Sequence, residues 1–146
     1  ITECVSLLNR LGNDRPKVAI LSATESAIPS VPSSMDGQAL AQWAAENITN
    51  ADVSGPLAFD LIMSPDAAAT KGLADNPVAG HADAIIVPDI VPGNALFKAF
   101  VYLKGGCAAG IVTGAKVPIL LTSRADPAAA RMASAALASI SCGLPK

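Results

Sequence analysis

Strand-length runs of consecutive apolar residues constrain this chain more than any other feature. The clearest lies in "ADAIIVPDI", continuous from Ala84 to Val87 and stopped by Pro88; "KVAIL", Lys17 to Leu21, is a second. A strand with one wet face alternates apolar and polar residues, whereas a strand covered on both faces reads apolar throughout. Segments with helical periodicity separate these runs. "ITECVSLLNRLG" places Val5, Leu8 and Leu11 on one side, and "MDGQALAQWAAENI", opened by Asp36, repeats Leu40, Trp43, Ala44 and Ile48. The expected fold is therefore α/β, a layered α/β/α arrangement around a largely parallel sheet.

The remaining segments extend this pattern. "SATESAIPSVPSS" is polar and Pro-rich and is expected to be a loop; "ADVSGPLAFD" reads as a strand ending at Gly55-Pro56, and Ser64-Pro65-Asp66 restarts a helix. "PGNALFKAFVYLKGG" predicts a helix with Leu96, Phe100 and Leu103 facing inward, closed by Gly105-Gly106. "AAGIVTG" and "KVPILLTS" are expected to add two more strands, the second leading into a helix from Pro127 to about Ile140. Ligands of open parallel sheets bind beyond the carboxyl ends of the strands. Four segments would then line one crevice: Ser22 to Glu25, Gly55 to Asp60, Pro88 to Asn94, and Thr122 to Asp126.

Composition excludes several classes of function. The net charge is −2 with no basic stripe, and only 3% of residues are aromatic, so neither phosphodiester tracking nor base stacking has material to work with; no nucleic acid partner is expected. The apolar runs are far shorter than the roughly 20 residues of a spanning helix, so no membrane association is expected. Cys4, Cys107 and Cys142 are widely spaced, without a Cys-x-x-Cys pair, and fit a reducing cytoplasm better than a disulfide framework or a zinc site. Cys107 is expected in a core near a strand start. The glycines of "GGCAAGIVTGAK" match neither a P-loop nor a dinucleotide fingerprint, no Gly-x-Ser-x-Gly elbow is present, and His81 is the one histidine. A Ser-His-Asp hydrolase and a catalytic metal are both disfavoured. The chain opens at Ile1 directly in a helical pattern, as expected of a fragment, a processed chain or a trimmed one.

The chemistry concentrates in "KVPILLTSRADPAAARMASAAL", Lys116 to Leu137, which sets a hydroxyl, a guanidinium and a carboxylate at a helix entrance. Ser123 as N-cap with Asp126 reaching back, or Asp126 as N-cap before Pro127, would each account for those two residues structurally. Arg124 fits less easily, because a cation in a first helical turn opposes the helix dipole unless an anion joins it. Phosphate is the anion that a guanidinium fork suits. Asp89, Gly93 and Asn94 bracket a turn after the central strand and read equally as a cap and tight turn or as substrate contacts. Asp60 occupies a similar position in "GPLAFD".

Beyond these patterns, "VAILSATE", "GPLAFD", "ADAIIVPDIVPGNALFKAFVYL" and "AAGIVTGAKVPILLTSRAD", in this order and spacing, resemble the phosphate acetyl/butyryltransferases over roughly Lys17 to Ile140. "PILLTSRAD" looks more like the butyryltransferase branch, or like the transferase part of bifunctional enoyl-CoA hydratase/phosphate acetyltransferases. The resemblance implies reversible transfer of a short acyl group between CoA and inorganic phosphate. It also implies an isocitrate/isopropylmalate dehydrogenase-like fold of two lobes, in which residues 1–113 form the second lobe and residues 114–146 the strand and helix that return to the first. CoA enters as a substrate, with no bound cofactor and no metal, and a homodimer or higher homo-oligomer is implied.

By position, Ser123 and Arg124 match the family's catalytic Ser-Arg pair, Arg124 on the phosphoryl group and Ser123 on the developing charge. Thr122, Asp89, Gly93 and Asn94 would contact substrate. The family's acetyltransferases carry an Asp seven residues past the Ser, where this chain has Ala130. Asp126 is the nearby carboxylate, either a substitute base or a cap. The alternative function is a non-catalytic oligomerisation or binding fragment that retains the fold.

Overall fold

A computed structural model describes residues 1–143. Its elements are α1 (Thr2–Arg10), β1 (Lys17–Leu21), α2 (Pro32–Asn47), β2 (Asp52–Leu57), α3 (Phe59–Met63), α4 (Pro65–Thr70), β3 (Ala84–Ile86), α5 (Ile90–Lys104), β4 (Ile111–Val112), β5 (Ile119–Leu120) and α6 (Ala128–Ser141). The end of the expected 114–146 segment, residues 144–146, lies outside the described residues.

The apolar runs form a parallel sheet in the order β2-β1-β3. Val18 pairs with Val53 on one side and Ala84 on the other, and Ala19 with Ser54 and Ile85. Being central, β1 is covered on both faces, which is why it lacks polar alternation. Ala19 and Leu21 pack with Leu57, Leu61, Ile62 and Val78, while Val18 packs with Val5 and Ala51 beneath α1. The Asp83 carboxylate accepts the Lys17 amide at 2.8 Å, and the Asp83 amide donates to the Lys17 carbonyl at 2.8 Å, fixing the start of β3 against β1. β3 is half-buried rather than fully buried, because it forms the edge of the sheet.

Several expectations are corrected. "AAGIVTG" and "KVPILLTS" do not extend the parallel sheet; β4 and β5 form a separate antiparallel ribbon. Parallel partners need a crossover of a dozen or more residues, and the short Thr113–Pro118 connection permits only a hairpin-like return. β2 does not end at Gly55-Pro56 but runs through that bond, which is cis, to Leu57. α2 buries its small residues Ser34, Gly37 and Ala44 against the sheet, leaving Leu40 exposed and Trp43 44% exposed. α5 buries no residue, and Leu103, expected to face inward, is 79% exposed. Cys107 is exposed rather than packed in a core. Among the described residues no helix is long and apolar enough to cross a membrane.

Candidate active site

The segments expected to line one crevice separate into two places. Pro88 to Asn94 and Thr122 to Asp126 meet at a cavity of about 470 Å³ between α5 and the approach to α6. Ile90, Gly93 and Asn94 line it from the first side, and Thr122, Ser123 and Asp126 from the second. Ser22 to Glu25 and Gly55 to Asp60 do not line it. Ser22 is tied into the sheet, its amide donating to the Leu57 carbonyl at 2.9 Å and its hydroxyl 2.9 Å from that of Ser33. Asp60 pairs with the Lys71 ammonium at 3.1 Å, which holds its carboxyl below the usual range.

The Thr122–Asp126 segment is a tight turn. The Asp126 amide donates to the Ser123 carbonyl at 3.1 Å, leaving Arg124 and Ala125 as the two central residues. The Asp126 carboxylate reaches back and accepts the Ser123 amide at 2.6 Å. From inside α6, the Arg131 guanidinium donates to the Asp126 carbonyl at 3.0 Å. Both capping expectations are thereby revised: the N-cap of α6 is Pro127, with no side-chain cap, and Asp126 closes the turn before the helix. Arg124 likewise precedes α6 instead of occupying its first turn, so the dipole argument for an anion at this residue loses force. Its side chain is exposed, does not line the cavity, and makes no hydrogen bond or ion pair among the described residues.

Asp89 is the N-cap of α5, its carboxylate accepting the Val91 amide at 2.7 Å. It sits outside the cavity lining. Gly93 and Asn94, expected in a turn, lie in the first turns of α5 itself. Pro92 does not prevent this, since the opening N–H groups of a helix have no internal partner to lose. Gly93 permits close approach: a Cβ there would come within 2.9 Å of Val87 Cγ2, so the Val87 side chain or α5 would have to shift.

The opposite wall rests on residues that sequence reasoning missed. Ser134, 1% exposed on α6, donates its hydroxyl to the Ala130 carbonyl at 2.9 Å and accepts the Gly110 amide at 3.0 Å. The Leu121 amide donates to the Gly110 carbonyl at 3.0 Å, so the Ser134 hydroxyl is connected through the Gly110 peptide to the segment that leads into the Thr122–Asp126 turn. A Cβ on Gly110 would lie 2.5 Å from the Leu121 carbonyl oxygen. The signal for Ser134 was the i, i+4, i+8 stripe Ala130, Ser134, Ala138, a small-residue face suited to close packing. Ala130 is buried in that face, at 2% exposure. Phe97 and Lys98 add to the lining from α5, and Ala108 and Ala109 from the segment before β4; Lys98 follows Asn94 by one helical turn.

A concavity whose two walls both mix apolar and polar groups, with Asn94 and Lys98 beside Ile90 and Phe97 on α5 and Thr122, Ser123 and Asp126 beside Leu121 across from them, suits a small polar substrate bearing an apolar group. A family model described as phosphate acetyl/butaryl transferase matches residues 1–139. The chain is 43% identical over 141 residues to a phosphate acetyltransferase of Rhizobium meliloti, covering 96% of this chain and 44% of that protein. It is 36% identical over 144 residues to the phosphate butyryltransferase of Clostridium acetobutylicum, covering 98% of this chain and 48% of that protein. The fold superposes on a branched-chain phosphotransacylase from Enterococcus faecalis V583 with a TM-score of 0.85 at 34% identity, covering 99% of this chain and 51% of the other. The chain thus spans about half the length of the relatives it matches.

Proposed function

The chain belongs to the phosphate acetyl/butyryltransferase family, and from that premise we propose that it carries the Ser-Arg half of a site for reversible acyl transfer between CoA and inorganic phosphate. The observation that carries this reading is the turn itself. Asp126 clamps the Ser123 amide, setting the Ser123 hydroxyl on the cavity wall and the Arg124 guanidinium at the apex with no internal partner among the described residues.

In the direction that makes thioester, the CoA sulfur attacks the acyl carbonyl as a thiolate and the carbon–oxygen bond to the phosphoryl group breaks. The thiol proton ends, in net, on the released phosphate. Ser123 donates to the charge developing during attack, and Arg124 stabilises the phosphoryl oxygens. Asp126 is assigned a positioning role, since its carboxylate is already engaged in holding the turn. Thr122, Gly93 and Asn94 border the substrate, while Asp89 orders α5 by capping it. CoA and phosphate act as substrates, without a bound cofactor.

Residues 1–113 are assigned to one lobe and residues 114–146 to a strand and helix returning to the other. Support comes from β5 and α6, which add no strand to the parallel sheet and, with the segments flanking β5, leave Val117, Leu121 and Met132 exposed. A homodimer or higher homo-oligomer is proposed as well, supported by exposed apolar residues of α5 outside the cavity lining, Val91, Tyr102 and Leu103. The free thiols of Cys4, Cys107 and Cys142 fit a cytoplasmic setting.

The test is thioester formation from CoA with acetyl phosphate and with butyryl phosphate, using the complete chain that contains this segment. Turnover with either is expected. No turnover with both would leave the non-catalytic binding fragment as the reading.

A further inference from the structure

We propose that Lys98 holds the phosphate that accepts or releases the acyl group, acting with Arg124 as the second cation of the site. The inference rests on the acyl-transfer reading above and names a residue that the Ser-Arg pair does not include. Lys98 is the one Lys or Arg among the described residues lining the cavity, and Asp126 is the one carboxylate. The ion pairs among the described residues are Arg15–Asp52 and Lys71–Asp60, so the Lys98 ammonium is uncommitted.

Its placement follows from helix geometry. Asn94 and Lys98 are four residues apart on α5 and share a face, and helical side chains lean toward the N-terminus. The ammonium therefore leans back over Asn94 toward the mouth that Thr122 and Ser123 border. A phosphate dianion entering beside the Asp126 carboxylate meets like charge, and an ammonium on the facing wall offsets it. Arg124, at the apex of the turn, lies outside the lining, and it is the acyl-transfer reading that brings it to the same anion. The phosphoryl group is assigned here, not the phosphates of CoA, because Lys98 lines the same cavity as Ser123, where the acyl-transfer reading puts the acyl–phosphate bond.

The experiment uses the complete chain with Lys98→Met and Lys98→Arg. In the direction from acyl-CoA and phosphate, Lys98→Met is expected to raise the KM for phosphate roughly tenfold to a hundredfold, the range of a lost charge-assisted contact. The KM for acyl-CoA should stay within about twofold on the same reasoning, and Lys98→Arg should recover most of the loss. An unchanged KM for phosphate, or a rise confined to acyl-CoA, would overturn the assignment. Broadening of the phosphorus resonance of inorganic phosphate by the protein reads the same contact without turnover. If the wild-type chain transfers no acyl group, the reading fails, yet weaker broadening by Lys98→Met still supports the Lys98 site and equal broadening overturns it. Circular dichroism of both variants should match wild type, since Lys98 is exposed and unbonded among the described residues.

Discussion

The Asp126 carboxylate accepts the Ser123 amide at 2.6 Å, three residues back along the chain, and so closes the turn that carries Arg124. A carboxylate accepting a backbone N–H makes one of the stronger local hydrogen bonds. It gives Asp126 a structural task in the turn, which is the ground for proposing a positioning role rather than that of a general base.

A positioning role makes the conservative variant informative. Asp126→Asn keeps an acceptor oxygen and should retain most of kcat, with an unchanged pH–rate profile, whereas Asp126→Ala should lose on the order of tenfold. Loss of one limb of the pH profile in Asp126→Asn would make Asp126 the general base instead.

The Ser134 hydroxyl joins Gly110 to Ala130 with almost no solvent exposure. Ser134→Ala strands the Gly110 amide and should cost about 1–3 kcal/mol of stability. Urea titration checks it; an unshifted midpoint would mean that the wall does not depend on this bond.

Gly110 permits the approach of Leu121, since a Cβ would meet the Leu121 carbonyl oxygen at 2.5 Å. Gly110→Ala should displace the segment leading into Thr122 and destabilise by about 1–3 kcal/mol, as overpacking does. Its kcat should fall as well, because the displaced strand leads directly to Ser123. Wild-type kcat and stability together would contradict the packing argument.

The Lys71 ammonium, hydrogen-bonded to Asp60, lowers the pKa of that carboxyl. A depressed folded-state pKa gives stability that is complete above the unfolded value, about pH 3.9. It is lost as pH falls through the lower folded value. Lys71→Met should therefore lower the urea midpoint slightly near neutrality and not at all once both states are protonated. Both side chains are solvent-exposed, so the effect is small. A difference that persists at the acid end would assign it to packing.

How much was legible in the sequence follows from which interactions are local. β1 and β3 were readable because a strand covered on both faces, or nearly so, must be apolar throughout. α2 and α5 start earlier than their sequence patterns suggest, because Pro32 ends a Pro-rich segment that reads as a loop and Pro92 sits in a Pro-Gly pair that reads as a turn. Both occupy the opening turn, where a missing N–H is harmless. The ribbon was mistaken for sheet because apolar runs do not state their partners, although the short connection between β4 and β5 already excluded a parallel crossover. At the site, Thr122, Ser123, Asp126, Gly93 and Asn94 share one cavity, as their positions after strands suggested. Lys98 and Ser134 escaped notice because they sit inside helices, and only the facing of α5 and α6 brings them to the turn.

The central claim rests on Arg124, and the most direct measurement is kcat/KM for acyl transfer by Arg124→Ala in the complete chain. The expected loss is on the order of 3 kcal/mol of transition-state stabilisation, about a hundredfold in rate. Tm should be unchanged, because Arg124 makes no hydrogen bond or ion pair among the described residues. A wild-type rate in that variant would contradict the assignment of this turn as half of the acyl-transfer site.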